Sequence, residues 1–244
     1  MNFYQRMEFL ARAWRYRISG EKFGVSFVRN SDLAGQTVLD IGANCGIYSY
    51  WLHQKVGAEG RVIAFEPQPE LIRRLGELKA SFGLQRLEVV GCGLSSECGE
   101  LQLRRPWGHW AGASFERFKS GRDDIDVILT PVTTLDHFFA NRPDRPVRLI
   151  KCDVEGHELD VFRGAAQILI EDRPDLLFEC LDRNLPDSPV FHYLYSLGYA
   201  GYCFAQQGLA PVSEYRSLKL HKRAQRDFVF LPRERAPGVR RRCA

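Results

Sequence analysis

The chain has 244 residues, of which 45% are hydrophobic and 26% charged, and this composition is typical of a globular protein with one sizeable α/β domain. No apolar run reaches the roughly 18–20 residues of a membrane span, and the N-terminus lacks the features of a signal peptide, so we expect a cytoplasmic protein without a transmembrane segment. The last twelve residues carry the whole net charge of +4, and the balanced body argues against nucleic-acid binding. Seven scattered cysteines form no Cys-x-x-Cys pair, which argues against a zinc site and a disulfide framework.

The predicted elements begin with a helical leader over residues 1–36. It contains one amphipathic helix, in which Phe3, Phe9 and Trp14 lie among four arginines, and a short linker. Such a helix can pack on its own domain, form a homodimer with a second copy, or make peripheral contact with a membrane surface. The sequence leaves these three options open.

Residues 37–232 alternate between short β-branched runs and helical patterns, which predicts a doubly wound α/β fold with a parallel sheet and right-handed crossovers. The final two strands are joined by a long irregular stretch, so we expect them to pair antiparallel at one edge of the sheet. Strands are predicted over 37–41, 61–66, 86–92, 147–153, 175–181, 199–205 and 226–232. Helices are predicted over 46–56, 69–80, 156–170 and 188–197.

Two further segments do not follow this alternation. An insertion over residues 99–133 is predicted to be a β-excursion with a flexible loop. Its aromatic side chains are centred on Trp107, His109, Trp110 and Phe115. We expect them either to fold over a ligand-binding cleft at the ends of the strands, as part of the pocket for the molecule that is modified, or to form a plain packing patch. The basic segment 233–244 is expected to be a disordered tail.

The first strand runs into the glycine turn "VLDIGANCG", in which an acid, Asp40, precedes Gly42, Asn44 and Gly46. Glycines at such a turn allow positive φ and a close approach of the backbone to a ligand. The helix that follows offers free N–H groups. The dinucleotide fingerprint would have a second glycine where Asn44 stands, and the Asp40 carboxylate would repel a pyrophosphate. An ammonium group there would be attracted, and S-adenosylmethionine has one and carries no phosphate.

The next two strands add to this cofactor hypothesis. Glu66 ends the second strand, 20 residues after Gly46, where an acid can accept hydrogen bonds from both ribose hydroxyls in a Rossmann-type site. The third strand ends in Cys92, Gly93 and Leu94, and these could flank an adenine ring. The spacing of the two acids therefore favours an adenosine-containing cofactor.

The fourth strand ends in an unusual cluster of charges, in the string "LIKCDVEGHELDVFRGA". It holds Lys151, Asp153, Glu155 and His157 at the carboxyl end of the strand, where ligands bind in open α/β sheets. Buried charges in an apolar strand need partners, which indicates a functional role for this cluster. Glu179, at the end of the fifth strand, is expected to close it.

With "VLDIGANCG", "VIAFEP", "TTLDHF" and "LIKCDVEGHELDVFRGA" in this order, the chain resembles the FkbM family of S-adenosylmethionine-dependent methyltransferases over about residues 35 to 181. The resemblance implies a class I methyltransferase fold, a doubly wound sheet of seven strands with an antiparallel edge strand. It also implies O-methylation of a hydroxyl on a sugar, glycolipid or polyketide-type molecule. The cofactor-binding residues that it implies are Asp40, Gly42, Ala43, Asn44, Gly46, Tyr48, Ser49, Glu66, Pro67, Cys92, Gly93 and Leu94.

A hydroxyl acceptor must lose its proton during methyl transfer, and four residues are predicted to serve this catalytic step. Asp153 is expected to accept the proton, with His157 as the rival base. Glu155 would orient the acceptor or Lys151. Asp153 and Glu155 could instead hold a divalent ion such as magnesium or calcium, although no ligand set indicates one.

Two other functions stay open from the sequence. A nucleic-acid methyltransferase would use the same cofactor fold, but an N/D-P-P-Y/F motif is absent after the fourth strand, where "DVEG" stands. A catalytically silent module that only binds the cofactor is the third option. We therefore expect a small-molecule or glycan acceptor and no nucleic-acid partner.

Overall fold

A computed structural model describes residues 1–19, 21–107, 110, 112–116, 125–182, 184–205, 208–218, 220 and 225–236. His109 of the predicted aromatic loop lies outside these residues, as do residues 237–244 of the predicted basic tail.

The strands follow the apolar β-branched runs of the sequence closely. They are β1 (Thr37–Ile41), β2 (Arg61–Phe65), β3 (Leu87–Val90), β4 (Gly93–Leu94), β5 (Gly99–Pro106), β6 (Ile125–Thr133), β7 (Val147–Cys152), β8 (Asp175–Glu179), β9 (Tyr199–Ala205), β10 (Gly208–Pro211) and β11 (Asp227–Pro232).

The helices lie between the strands and in the leader. They are α1 (Phe3–Ile18), α2 (Lys22–Asn30), α3 (Ile47–Val56), α4 (Pro69–Phe82), α5 (Leu135–Phe139), α6 (Glu158–Arg163), α7 (Ala166–Glu171) and α8 (Pro189–Ser196), with a 3₁₀ helix over Val212–Ser217. None of the helices in the described part of the chain is long and apolar enough to cross a membrane.

The main sheet has the order β10-β9-β11-β8-β7-β1-β2-β3. Strands β3, β2, β1, β7 and β8 are parallel neighbours, and β11 runs antiparallel between β8 and β9. The predicted fold class and the antiparallel pairing of the last two predicted strands are therefore confirmed. The strand number is eight instead of seven, because residues 208–211 fold back onto β9 as β10. The four-residue run "GLAP" was too short to be recognised as a strand.

Helices cover both faces of the sheet, as a doubly wound fold requires. One core cluster combines buried residues of the sheet with side chains of α1 to α4, and the other combines them with side chains of α5 to α8. The strands are buried on both faces, which explains their nearly continuous apolar sequences. The carboxyl ends of β1, β2, β7 and β8 meet at one edge of the sheet.

Two predicted helical segments differ from the structure. The predicted N-terminal helix is present as α1, but a second helix, α2, occupies most of the predicted linker because Val25 and Val28 are buried against the domain. The helix predicted over 156–170 is divided into α6 and α7. Gly164 stands between them, and a Cβ atom there would lie 2.1 Å from the carbonyl oxygen of Ser95, so the backbones touch at this point.

The predicted β-excursion is confirmed as a second sheet of order β4-β6-β5. Strands β5 and β6 form a long antiparallel pair from Gly99 opposite Val132 to Pro106 opposite Ile125. Residues 112–116 return from this hairpin toward the carboxyl edge of the main sheet. The insertion thereby reaches the ends of β1 and β7.

Candidate cofactor and acceptor site

An open cleft lies at the carboxyl edge of the parallel strands, which is where ligands bind in open α/β sheets. Its lining comes from the ends of β1, β2 and β7, from the residues after β3, and from the insertion. The lining residues are Ile41, Gly42, Asn44, Phe65, Glu66, Pro67, Gln68, Cys92, Gly93, Leu94, Leu103, Trp110, Gly112, Ala113, Phe115, Asp153, Val154 and Glu155.

The glycine turn after β1 requires the residues that the sequence has there. Gly42 and Gly46 have φ of +72° and +83°, and Asn44 has φ of +52°. A Cβ atom on Gly42 would lie 1.9 Å from the carbonyl oxygen of Asp153, so any side chain would separate the two loops. The turn thus brings the backbone that follows β1 against the backbone that follows β7.

Glu66 connects the ends of the first two strands. Its side chain is 2% exposed, and its two carboxylate oxygens accept hydrogen bonds from the backbone N–H of Asn44 at 2.8 Å and of Gln68 at 3.0 Å. Burial raises the pKa of Glu66 to about 7, against these hydrogen bonds, which lower it. Each oxygen keeps a second lone pair, so the carboxylate can accept from a pair of neighbouring hydroxyls.

The insertion encloses the part of the cleft that adjoins Gly93. A Cβ atom on Gly93 would lie 2.5 Å from the Phe115 ring, so only glycine allows this ring to cover the end of β3. Gln68 donates from Nε2 to the carbonyl oxygen of Trp110 at 3.0 Å, and Arg74 lies 4.0 Å from the centre of the Trp110 ring. Of the predicted aromatic residues, Trp110 and Phe115 line the cleft, whereas Trp107 is exposed and does not.

Asp40 lies behind the cleft and is fully buried. Its Oδ2 accepts a hydrogen bond from Ser49 Oγ at 2.6 Å, and its Oδ1 lies 3.8 Å from Lys151 Nζ. Register explains this contact, because Asp40 and Lys151 are direct neighbours on β1 and β7. Burial raises the pKa of Asp40, and Lys151 and Ser49 partly offset this effect.

Lys151 connects this buried acid with the cleft. Its Nζ lies 3.4 Å from Asp153 Oδ2 and 4.9 Å from the centre of the Tyr48 ring. Burial lowers the pKa of Lys151, but the charges of Asp153 and Asp40 outweigh burial, so the pKa is raised and the lysine carries a charge.

The loop after β7 is held by hydrogen bonds on several sides. Asp153 N–H donates to the Ile41 carbonyl, and Glu158 Oε1 accepts from the N–H groups of Val154 and Gly156, each at 3.2 Å. Glu155 has φ of +55°, which a residue other than glycine rarely adopts, and its carbonyl accepts from Ser114 Oγ at 2.7 Å. The loop thus holds Asp153 and Glu155 in the cleft with a defined backbone.

Four acids face one another at this end of the site. Carboxylate oxygens of Asp153, Glu155 and Glu179 lie within 4.8 Å of one another, a spacing that a hard divalent cation can bridge. Burial and then the charges of Asp153 and Glu155 raise the pKa of Glu179 to about 9. Burial and then Glu21 and Asp153 raise the pKa of Asp227 to about 8. At neutral pH the cluster therefore retains protons.

His157 lies outside the cleft lining, and both of its ring nitrogens have partners. Nε2 lies 2.9 Å from Ser95 Oγ, and Nδ1 lies 3.1 Å from Glu116 Oε1. The ring also packs edge-on against Phe115, with 5.3 Å between the ring centres. Through Glu116 and Phe115, His157 therefore connects the insertion with the loop after β7.

The structure brings most, but not all, of the predicted site residues to the cleft. Nine line it, namely Gly42, Asn44, Glu66, Pro67, Cys92, Gly93, Leu94, Asp153 and Glu155. Seven lie behind or beside it, namely Asp40, Ala43, Gly46, Tyr48, Ser49, Lys151 and His157. The sequence did not predict seven further lining residues, namely Ile41, Phe65, Gln68, Leu103, Gly112, Ala113 and Val154. For Gln68, the position directly after "FEP" was an available signal.

The lining suits a cofactor with a ribose and no phosphate. Among the described residues, no lysine, arginine or histidine side chain lines the cleft, so nothing there would neutralise a pyrophosphate. Glu66 offers the acceptor pair for a ribose diol, and Cys92, Gly93 and Phe115 offer narrow walls for a flat ring. These features fit S-adenosylmethionine.

A sequence model of the methyltransferase FkbM domain matches residues 40–202, which is most of the chain. The chain belongs to this family. Its fold and its cofactor, S-adenosylmethionine, are therefore those of the FkbM methyltransferases, as the motifs indicated.

Two curated relatives have similar sequences. Methyltransferase sdnD of Sordaria araneosa is 28% identical over 154 residues, which cover 52% of this chain and 59% of the relative. Methyltransferase 1 of Beauveria bassiana is 25% identical over 143 residues, which cover 52% of this chain and 57% of the relative. The matches thus span little more than half the length of these relatives.

The comparison of structures shows the same fold. A methyltransferase FkbM of Methylobacillus flagellatus KT superposes with a TM-score of 0.56 at 19% identity, covering 82% of this chain and 45% of that chain. A protein described as a putative rRNA methylase of Clostridium thermocellum superposes with a TM-score of 0.52 at 11% identity, covering 87% of this chain and 94% of that chain. Both likenesses concern the class I methyltransferase fold.

Proposed function

We propose that this FkbM domain transfers a methyl group from S-adenosylmethionine to a hydroxyl of a sugar, glycolipid or polyketide-type small molecule. The observation that supports the proposal best is the position of Asp153. Its carboxylate lines the same cleft as Glu66, its side chain is 39% exposed, and Lys151 holds it from behind at 3.4 Å. An acid in this position can accept the proton that a hydroxyl loses.

Different residues of the chain would bind the cofactor and exclude water from the cleft. When bound, S-adenosylmethionine supplies a methyl group on a positively charged sulfur. Glu66 would hold the ribose, and the glycine turn after β1 would hold the amino-acid part through its backbone. Phe115 and Trp110 would cover the cleft and exclude water, which favours an in-line arrangement of acceptor and methyl group.

Asp153 is the proposed base because its rivals are less suitable. His157 is engaged by Ser95 and Glu116 and does not line the cleft. Glu179, with a pKa of about 9, carries a proton at neutral pH. We assign Asp40 and Lys151 a positioning role, since the lysine stands between Asp40 and Asp153 and orients the latter.

The test is a methyl-transfer assay with radiolabelled S-adenosylmethionine on pairs of acceptors that differ only in a hydroxyl, an amine or a carboxyl group. We expect transfer to the hydroxyl members, and a loss of about 10²- to 10⁴-fold in kcat for Asp153→Asn, with unchanged affinity for S-adenosylhomocysteine. Asp160→Asn, an acid change on the adjoining helix, is the control. Transfer to amines only, or normal turnover of Asp153→Asn, would refute the proposal.

The same methyl-transfer assay should be repeated with added magnesium and with a metal chelator. If the cluster of Asp153, Glu155 and Glu179 binds a divalent ion during the reaction, the chelator abolishes turnover in the wild type. If Asp153 acts without a metal, the chelator leaves the rate unchanged.

A further inference from the structure

Helix α1 has two apolar faces, and only one of them is covered by the domain. The covered face carries Phe9 and Ala13, which are 8% and 0% exposed. Phe9 packs against Tyr50 and Phe82, and the Ala13 carbonyl accepts a hydrogen bond from the Trp51 indole at 3.4 Å. These contacts fix the rotation of α1 on the domain and leave its opposite face in solvent.

The opposite face holds a row of large apolar side chains, which we call the α1 stripe. It consists of Phe3, Tyr4, Met7, Trp14 and Ile18, which are 79%, 75%, 51%, 47% and 69% exposed. Trp14 also contacts the domain, where it packs edge-on against Trp51 with 6.0 Å between the ring centres. At 3.6 residues per turn these five side chains fall within about 100° of the helix circumference. They are half of the ten large hydrophobic residues that are exposed in the described part of the chain, so their clustering on one helix indicates a docking surface.

The charges of helix α1 are mostly positive. The helix contains four arginines, at positions 6, 12, 15 and 17, and Glu8 is its one acid. Arg6 lies over the Phe82 ring of the domain, 5.2 Å from the ring centre, whereas Arg15 is exposed next to the stripe. Arg17 lies 4.4 Å from the centre of the Trp14 ring, so a guanidinium borders the stripe directly. The surface that fits this helix is therefore apolar at its centre and negatively charged at its rim.

We propose that the α1 stripe docks the protein on a membrane surface that contains anionic lipids. Apolar and aromatic side chains would enter the boundary between headgroups and acyl chains, and the arginines would contact lipid phosphates. A second copy of the chain fits less well, because two such helices would bring arginines of like charge together and each helix has one acid. A nucleic acid would contact the arginines but would leave the apolar centre unpaired.

This inference does not depend on the acceptor proposed above. It concerns a surface on the leader, outside the cleft lining. It also selects one of the three options that the sequence left open for the N-terminal helix. Failure of the membrane test would leave the methyltransferase proposal unaffected, and failure of the methyl-transfer assay would leave the docking surface unaffected.

The test is co-sedimentation of the full chain with vesicles of phosphatidylcholine, either alone or mixed with phosphatidylglycerol, an anionic lipid. We expect binding to the anionic vesicles to be at least about tenfold tighter than to neutral vesicles, and to weaken with salt. Phe3→Ser combined with Ile18→Ser should abolish it, and Arg15→Glu should weaken it by about tenfold.

Matched variants elsewhere on the surface serve as controls. Leu129→Ser removes a side chain that is 61% exposed on β6, and Arg86→Glu reverses an exposed charge before β3. Both should bind vesicles as the wild type does. Retained affinity for S-adenosylhomocysteine would show that each variant is folded.

Three results would overturn the proposal. The first is equal binding of the stripe variants and the control variants to anionic vesicles, and the second is no binding of the wild type to them. The third is a dimer, detected by light scattering, that Phe3→Ser with Ile18→Ser dissociates in a protein that does not bind vesicles. In that case the stripe is a surface for self-association.

Discussion

Replacing Glu66 with glutamine should weaken cofactor binding and remove its pH dependence. The carboxylate oxygens of Glu66 accept backbone N–H groups at 2.8 and 3.0 Å, and we propose that they also accept the ribose hydroxyls. The glutamine NH₂ cannot accept, so one ribose hydroxyl and one backbone donor lose their partner. A hydrogen bond to a charged group is worth about 1.5–3 kcal/mol, which predicts affinity about ten- to a hundredfold weaker.

Because the pKa of Glu66 is raised, the assignment of Glu66 to the ribose can also be tested by the pH dependence of cofactor binding. Ribose hydroxyls donate to the ionised carboxylate, so binding should lower a pKa that lies at about 7 in the free protein. The wild type should therefore bind S-adenosylhomocysteine about tenfold more weakly at pH 6 than at pH 8. At pH 7 it should release about half a proton per ligand, measurable by calorimetry in buffers of different ionisation enthalpy.

Calorimetry on three proteins completes this experiment. Glu66→Gln should show weak binding with little pH dependence and little proton release. Glu77→Gln, which alters an exposed acid of α4 paired with Arg73, is the control and should bind as the wild type does. Wild-type affinity of Glu66→Gln at both pH values would refute the assignment of Glu66 to the ribose.

Two further predictions concern the charges around the acceptor end of the cleft. Lys151→Met leaves the carboxylates of Asp40 and Asp153 without their cation, so it should lower the free energy of unfolding in urea by about 3–5 kcal/mol at pH 8. The loss should be smaller at pH 5.5, where Asp40, whose pKa is raised, takes up a proton more readily. Glu179 has a pKa of about 9 in the fold, against an ordinary value of 4.5. Its contribution to stability is therefore full below pH 4.5 and is lost as the pH rises through about 9, so Glu179→Gln should flatten the decline of the melting temperature between pH 6 and 9.

A specific result would contradict each of these two predictions. Equal urea midpoints for Lys151→Met and the wild type at pH 8 would mean that Asp40 is already neutral there. A melting temperature of Glu179→Gln that falls with pH as steeply as that of the wild type would show that Glu179 is not the titrating group.

Local sequence determined much of the fold. The β-branched runs predicted the strands at or within a few residues of their ends, because strands buried on both faces need continuous apolar sequence. The glycine turn after β1 could also be predicted from the sequence, because Gly42 and Gly46 adopt positive φ, which glycine adopts most readily. The same local patterns, with the charged string after β7, were sufficient to identify the family.

Interactions between distant residues decided what the sequence did not reveal. Gly164 stands where the predicted helix divides and touches the Ser95 backbone, and its carbonyl accepts a hydrogen bond from the Asp136 N–H. Nothing near residue 164 in the sequence signals these contacts. His157 is held by Ser95 and Glu116, which are 62 and 41 positions away in the chain. The sequence therefore predicted His157 as a possible base, although both of its ring nitrogens have partners in the folded protein.

The burial of Asp40 has the same kind of cause. Sequence placed an acid at the end of β1, but only the pairing of β1 with β7 puts it beside Lys151, and only the turn of α3 puts Ser49 at 2.6 Å. A residue type and a position in a strand are local properties. The direction that a side chain faces at the sheet edge depends on the neighbouring strand and on what packs above it, so the tertiary structure alone decided which acids reach the cleft.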